Sequence, residues 1–228
     1  PGTYPELVNA GYIMDLSDKD YISRVSEGSL SLQKLDDKVY AVPLDQMANV
    51  VFYNKDIFND LGLTVPTTYT EFIDTCKALK DAGYAACAAG YQDQISIGAN
   101  FYTMFYGTPY LSCENYVDET QNQGKSWGEY PTIAQALTPF REIIGYQNED
   151  SRTITTDRAE QLFANGESGM IIIGTWGLGA IMNYNPDLNC GGFMYPSEEK
   201  AEDNALPLNT DDCWMILNDS PNADIADA

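Results

Sequence analysis

Trp176 carries the sharpest chemistry in this sequence. It follows the apolar run Met170–Ile173 and a Gly-Thr step. It should therefore emerge at the carboxyl end of a strand, where open α/β sheets place their ligands. An indole there offers a flat face for stacking on the C–H face of a ring; the plainer alternative is a tryptophan packed under its own loop. Thr175 beside it adds a hydroxyl. Elsewhere stand amides, acids and phenols able to donate to or accept from ligand hydroxyls: Asp45, Gln46 and Asn49; Tyr91, Gln92 and Asp93; and Asp211 and Asp212 ahead of Trp214. Each has a duller reading. A connecting segment needs polar groups for its own backbone, and an amide and an acid after Gly90 are ordinary turn chemistry. By alternation, Trp214 fits a core position equally well.

Paired carboxylates are the equipment of glycoside hydrolases, and Asp36-Asp37, Glu198-Glu199 and Asp211-Asp212 are such pairs. With 34 Asp and Glu in the chain, adjacent acids arise cheaply, and none of these pairs sits in a catalytic frame. Asp36-Asp37-Lys38 fits a tight turn before a strand. The chain has no His, which excludes Ser-His-Asp and Cys-His catalysis and imidazole metal ligation within it. The five cysteines, Cys76, Cys87, Cys113, Cys190 and Cys213, contain no C-x-x-C spacing and read mostly as small buried apolar residues. A calcium site built of carboxylates stays open to so acidic a chain, but the twelve-residue acidic calcium loop is absent, and no cofactor is expected.

Only 12 Lys and Arg stand against those acids, a net charge of −22. Such a field repels nucleic acid and anionic membranes and leaves few cations to clamp an anionic ligand. The composition permits a neutral sugar, since 12% of residues are aromatic and 16 are Tyr, although Tyr-rich acidic surfaces also arise for solubility alone. A polyamine or another cation would also suit the acidic balance.

The 228 residues, 44% hydrophobic, suffice for one large or two small lobes. Short apolar runs alternate with helical patterns, which is an α/β signature. Strands are expected at Val39–Leu44, Val50–Tyr53, Gly169–Ile173 and Cys213–Leu217, with weaker ones at Tyr84–Ala89 and Gly192–Tyr195. Thr68 and Glu71 form a capping box that opens a helix over Tyr69–Ala82, with Gly83 where it should stop. A second helix fits Arg158–Asn165, with capping-box spacing between Asp157 and Glu160. A third fits Ile133–Gln147, where Pro139 should either kink it or mark its start. Asn115–Tyr130 reads as a polar surface excursion, and Asp187–Asp212 as a long connection passing between lobes. No apolar run approaches the ~20 residues of a membrane span.

Three stretches, read in order, resemble the family 1 extracellular solute-binding proteins of ABC importers, the maltose-binding-protein-like group. The first is Val39-Tyr40-Ala41-Val42-Pro43-Leu44-Asp45 with Val50-Val51-Phe52-Tyr53-Asn54-Lys55-Asp56-Ile57-Phe58, Leu61-Gly62-Leu63 and Pro66 through Phe72. The second is Phe163-Ala164-Asn165-Gly166-Glu167-Ser168-Gly169-Met170 running into Gly174-Thr175-Trp176. The third is Ser220-Pro221-Asn222 with Ile225-Ala226. Tyr4-Pro5-Glu6-Leu7, and Gly11-Tyr12 through Asp15-Leu16, match how these proteins leave the early strands of their first lobe.

The resemblance implies a periplasmic-binding-protein-like (type II) fold in which two α/β lobes close on a solute. Residues 1–45 and 206–228 would belong to a truncated first lobe, and 46–205 to a nearly complete second lobe. It further implies a binding protein without catalysis, a Trp176 that stacks on a sugar, and a neutral sugar or oligosaccharide delivered to the membrane subunits of an ABC importer. Placement would be on the extracellular face as a lipoprotein, or in the periplasm. Family members begin earlier and continue further, so the chain reads as an internal fragment with no leader of its own.

Overall fold

The computed structural model describes residues 4–31, 33–107, 123–129, 131–206, 208–210 and 212–223. In chain order these form α1 (Tyr4–Asn9), α2 (Glu27–Ser31), β1 (Lys34–Leu35), β2 (Lys38–Val39), β3 (Val42–Pro43), β4 (Met47–Asn54), α3 (Lys55–Asp60), α4 (Tyr69–Asp81), β5 (Ala85–Ala88) and α5 (Gln94–Gly107). There follow α6 (Pro131–Ile144), α7 (Thr156–Ala164), β6 (Ser168–Gly174), α8 (Gly177–Tyr184), β7 (Cys190–Phe193), β8 (Leu208–Asn209) and β9 (Cys213–Trp214). The chain divides into two units, one of Pro1–Met47 with Leu208–Ala228 and a larger one of Ala48–Pro207.

In the larger unit four strands lie side by side in the order β5-β6-β4-β7. β5 runs parallel to β6, with Ala88 opposite Ile171. β4 is antiparallel to β6, from Asn49 opposite Gly174 to Tyr53 opposite Met170. Every residue of β6 is buried. That explains why its sequence is an unbroken apolar run: successive side chains point to opposite faces, and both faces are covered. Met170 and Ile172 join Val51 of β4 against Phe72, Ile73, Cys76 and Leu79 of α4. Ile171 and Ile173 join Phe52 against Ala159, Leu162 and Phe163 of α7 and Ile181 of α8. Each large side chain so buried contributes about 2 kcal/mol relative to exposure.

Local signals set the helix ends. Thr68 Oγ1 accepts from Glu71 N at 3.3 Å, and Glu71 Oε2 accepts from Thr68 N at 3.2 Å. The capping box therefore opens α4 where the spacing placed it. α7 differs from expectation. Its cap is Thr155, which accepts from Arg158 N, so Asp157 lies in the first turn and Glu160 turns into the core at 5% exposure. α6 starts at Pro131 and runs through Pro139 without ending there. The first helical position tolerates Pro because its missing N–H would be unpaired anyway.

The expected strand over Val39–Leu44 is two short pieces. β2 pairs with β1, and β3 pairs with β9, Val42 opposite Trp214 and Pro43 opposite Cys213. Pro43 has no N–H to extend a ladder on both sides, so an edge ribbon is what it permits. Of Cys213–Leu217 only the first two residues are strand, and Leu217 adds an isolated bridge to Ile13. Asp36 and Asp37 form the β1–β2 turn with φ of 51° and 63°, the sign that tight hairpin turns require. Asp187–Asp212 stays largely with the larger unit: Tyr69 N donates to Glu198 O, and Asn204 Nδ2 donates to Thr67 O. Of Asn115–Tyr130 only residues 123–129 are described.

Cys76 and Cys87 are fully buried free thiols, while the free thiols Cys190 and Cys213 are half-buried; Cys113 lies outside the described residues. Among the described residues no helix is long and apolar enough to cross a membrane, and no cluster of acids and cysteines could hold a metal ion.

Candidate functional site

Because β5 and β6 are parallel and β4 opposes them, the carboxyl ends of β5 and β6 and the amino end of β4 share one edge of the sheet. Asn49, Thr175, Trp176 and the segment Tyr91–Asp93 all fall at that edge. The β4–β6 ladder runs one step past its last paired residues: Thr175 N donates to Ala48 O at 2.9 Å, and Ala48 N donates to Thr175 Oγ1 at 3.4 Å. Trp176 then turns to φ −61° and ψ −30° and leads into α8 without a side-chain capping bond. Its indole is left 41% exposed. It is seated against the backbone of β6, where a Cβ on Gly174 would fall 2.0 Å from Nε1 and 2.6 Å from Cδ1. Asn49 stands directly opposite Gly174 and is half-buried.

The Tyr91–Asp93 segment is held by its own architecture. Asp93 Oδ1 accepts from Ile95 N at 3.0 Å and from Thr156 Oγ1 at 2.5 Å, and Oδ2 accepts from Thr156 N at 2.7 Å. One carboxylate thus serves the amino ends of both α5 and α7, where helix dipoles favour negative charge. Burial works to raise its pKa, but the bonds from Thr156, Ile95 and Ser96 outweigh burial and leave the pKa lowered. The Tyr91 hydroxyl accepts from Gln147 Nε2 at 2.6 Å and donates to Asn100 Oδ1 at 3.4 Å. Burial pushes its pKa up. Gln92 is exposed. The sequence reading missed Asn100, Gln147 and Asn148, the last of which bonds both the N–H and the carbonyl of Ala89 at 2.9 and 3.1 Å. The adjacent amides Gln147 and Asn148 after a helix were the available signal.

Behind this edge lies Glu160. Burial, then the charges of Asp157 and Asp93, raise its pKa to about 7. Its 5% exposure leaves it no access to a solute.

The remaining candidates belong to the smaller unit. Asp212 N donates to Asp45 Oδ1 at 3.3 Å, and Leu44 N donates to Asp212 O at 3.0 Å, so these two acids meet beside the β3–β9 ribbon. Gln46 Nε2 donates to Ser29 Oγ at 3.0 Å. Asp211 lies outside the described residues. Trp214, which alternation allowed in a core, is 69% exposed.

The family described as bacterial extracellular solute-binding protein matches residues 1–228. Among curated proteins, the multiple sugar-binding protein of Streptococcus mutans is 27% identical over 220 residues, which are 94% of this chain and 51% of that protein. The solved structure of the solute-binding protein RafE in complex with raffinose superposes with a TM-score of 0.80 at 26% identity, over 97% of this chain and 58% of that one. The bacterial solute receptor AcbH, described as having an exclusive preference for β-D-galactopyranose, superposes at 0.81 with 23% identity, over 97% and 57%. The chain thus spans about half the length of the proteins it matches. It shares their α/β solute-receptor fold.

Proposed function

The chain belongs to the bacterial extracellular solute-binding protein family, and from that premise we propose that it is the sugar-recognising part of an ABC importer's receptor. It binds a neutral sugar or oligosaccharide outside the membrane, without catalysis, for delivery to the importer's membrane subunits. Lipid anchoring at the extracellular face, or residence in a periplasm, belongs to the same proposal.

The observation that carries this reading is the exposed indole of Trp176 at the carboxyl end of a fully buried strand. A large apolar ring left 41% open there is a stacking surface, and the hydroxyl of Thr175 and amide of Asn49 beside it supply polar contacts. Two relatives, a multiple sugar-binding protein and a receptor solved with raffinose, agree with it. The cation reading gains nothing from Asp93 at this edge, because that acid spends both oxygens on helix ends. A hydrolase reading would need an accessible pair of acids at this edge; Glu160, whose pKa is raised to about 7, is buried, and Glu198, whose pKa burial and then the charges of Asp203 and Glu199 raise, stands in the 187–212 connection.

The test is calorimetric titration of the full-length protein with raffinose and other neutral oligosaccharides, beside Trp176→Ala. Binding by the wild type is expected to weaken roughly ten- to hundredfold in the variant, the scale of burying one large apolar side chain. Silence of the wild type across the panel would refute the sugar assignment.

A further inference from the structure

Resting on the sugar reading, we propose that Asn49 is the hydroxyl-reading group of the Trp176 platform, and that the missing side chain of Gly174 brings amide and indole together.

The argument starts from register. Asn49 and Gly174 are Cα partners across the antiparallel β4–β6 ladder. Partners directly opposite carry their side chains on the same face, with Cβ atoms about 4.5–5.5 Å apart. The place where a residue-174 side chain would stand is filled by the Nε1 edge of Trp176, 2.0 Å from that virtual Cβ. The indole edge therefore takes the neighbouring position to Asn49 in the row across the two strands. With any other residue at 174, the ring would be pushed out of that row.

The second observation is polar bookkeeping. Among the described residues neither the Asn49 amide nor the Trp176 N–H has a hydrogen-bond partner, although Asn49 is half-buried. Of the other amides of this region, Asn100 and Asn148 are engaged with backbone and Gln147 Nε2 with the Tyr91 hydroxyl, while Gln147 Oε1 is buried without a partner among the described residues. A half-buried amide without a partner among the described residues, next to an open ring, is well placed for a ligand. A pyranose lying on the indole presents its hydroxyls outward in the plane of the sugar ring. An amide at the platform's edge can accept from one hydroxyl and donate to its neighbour, and it discriminates by which ring positions carry them. Being uncharged, it offers no ion pair to an amino sugar or a uronate. The ligand class is a neutral hexopyranose with a hydroxyl at the indole N–H edge.

The experiment is calorimetric titration of raffinose into the full-length wild type, Asn49→Ala, Trp176→Phe and the double variant, with thermal unfolding of each. Asn49→Ala is expected to bind about three- to tenfold more weakly. Its unfolding midpoint should stay near that of the wild type. The double variant should bind more tightly than the product of the two single losses, because both residues hold one ring. Asn49→Thr, a good strand former with a shorter polar reach, serves if the alanine variant does not fold. Wild-type affinity in Asn49→Ala, or losses that simply multiply, would overturn the subsite and leave the stacking platform standing. Absence of raffinose binding by the wild type, together with silence toward other neutral oligosaccharides, would overturn the sugar reading and the subsite with it.

Discussion

Gly174 and Trp176 share one volume: a methyl group on residue 174 would stand 2.0 Å from the indole nitrogen of Trp176. Gly174→Ala should therefore displace the ring rather than unfold the strand, since the obstructing atom ends a movable side chain and not a backbone. In protein with Trp127 and Trp214 replaced by Phe, the remaining indole should emit further to the red and be quenched more readily by acrylamide. Sugar affinity should fall with it. An unchanged spectrum would mean that the ring does not lean on residue 174.

Asp93 is expected to act on stability rather than on affinity. Its two oxygens serve Ile95 N, Thr156 N and Thr156 Oγ1, so Asp93→Ala uncaps two helices. The loss should be about 1–3 kcal/mol at neutral pH. The folded-state pKa is lowered, so this stability is present above the ordinary carboxylate range and lost as pH falls through the folded value. Chemical denaturation of wild type and variant at pH 7 and pH 3 checks it: the gap should narrow in acid. A gap that is the same at both values would show that the ionised carboxylate is not what holds the two helix ends.

Much of this arrangement was legible in the sequence, and the physical reasons are particular. The Thr68–Glu71 box and the unbroken apolar run of β6 are local signals, and the structure contains both elements where they pointed. The start of α7 was not legible, because Thr155 and Asp157 are both good caps and only the burial of Glu160 decides between them. At the candidate site, sequence marked Trp176 by its place after a strand. It could not tell that Tyr91 and Asp93 spend their polar atoms on Gln147, Asn100 and Thr156, because those partners are distant in the chain. Nor could it pair Asn49 with Gly174, since antiparallel register depends on which faces of both strands are covered.

Glu160 gives a pH dependence of the opposite sign. The carboxyl is 5% exposed on α7, and its pKa is raised to about 7, first by burial and then by the charges of Asp157 and Asp93. A raised folded-state pKa means that the protonated acid is the form the fold accepts. Its contribution is fully present below the unfolded value of 4.5 and is lost as pH rises through about 7. Above that, the folded protein carries a buried carboxylate, at a cost on the order of 3 kcal/mol. Glu160→Gln keeps the shape and removes the ionisation. Urea denaturation should find the variant more stable than wild type at pH 8, with the difference shrinking steadily as pH is lowered toward 4.5. If the variant is stabilised equally at pH 8 and pH 5, or destabilised at both, ionisation of Glu160 is not what limits stability in mild alkali. Raffinose affinity at pH 6, where the wild-type acid is mostly protonated, should be the same in both proteins, because Glu160 is too deeply buried to touch a solute.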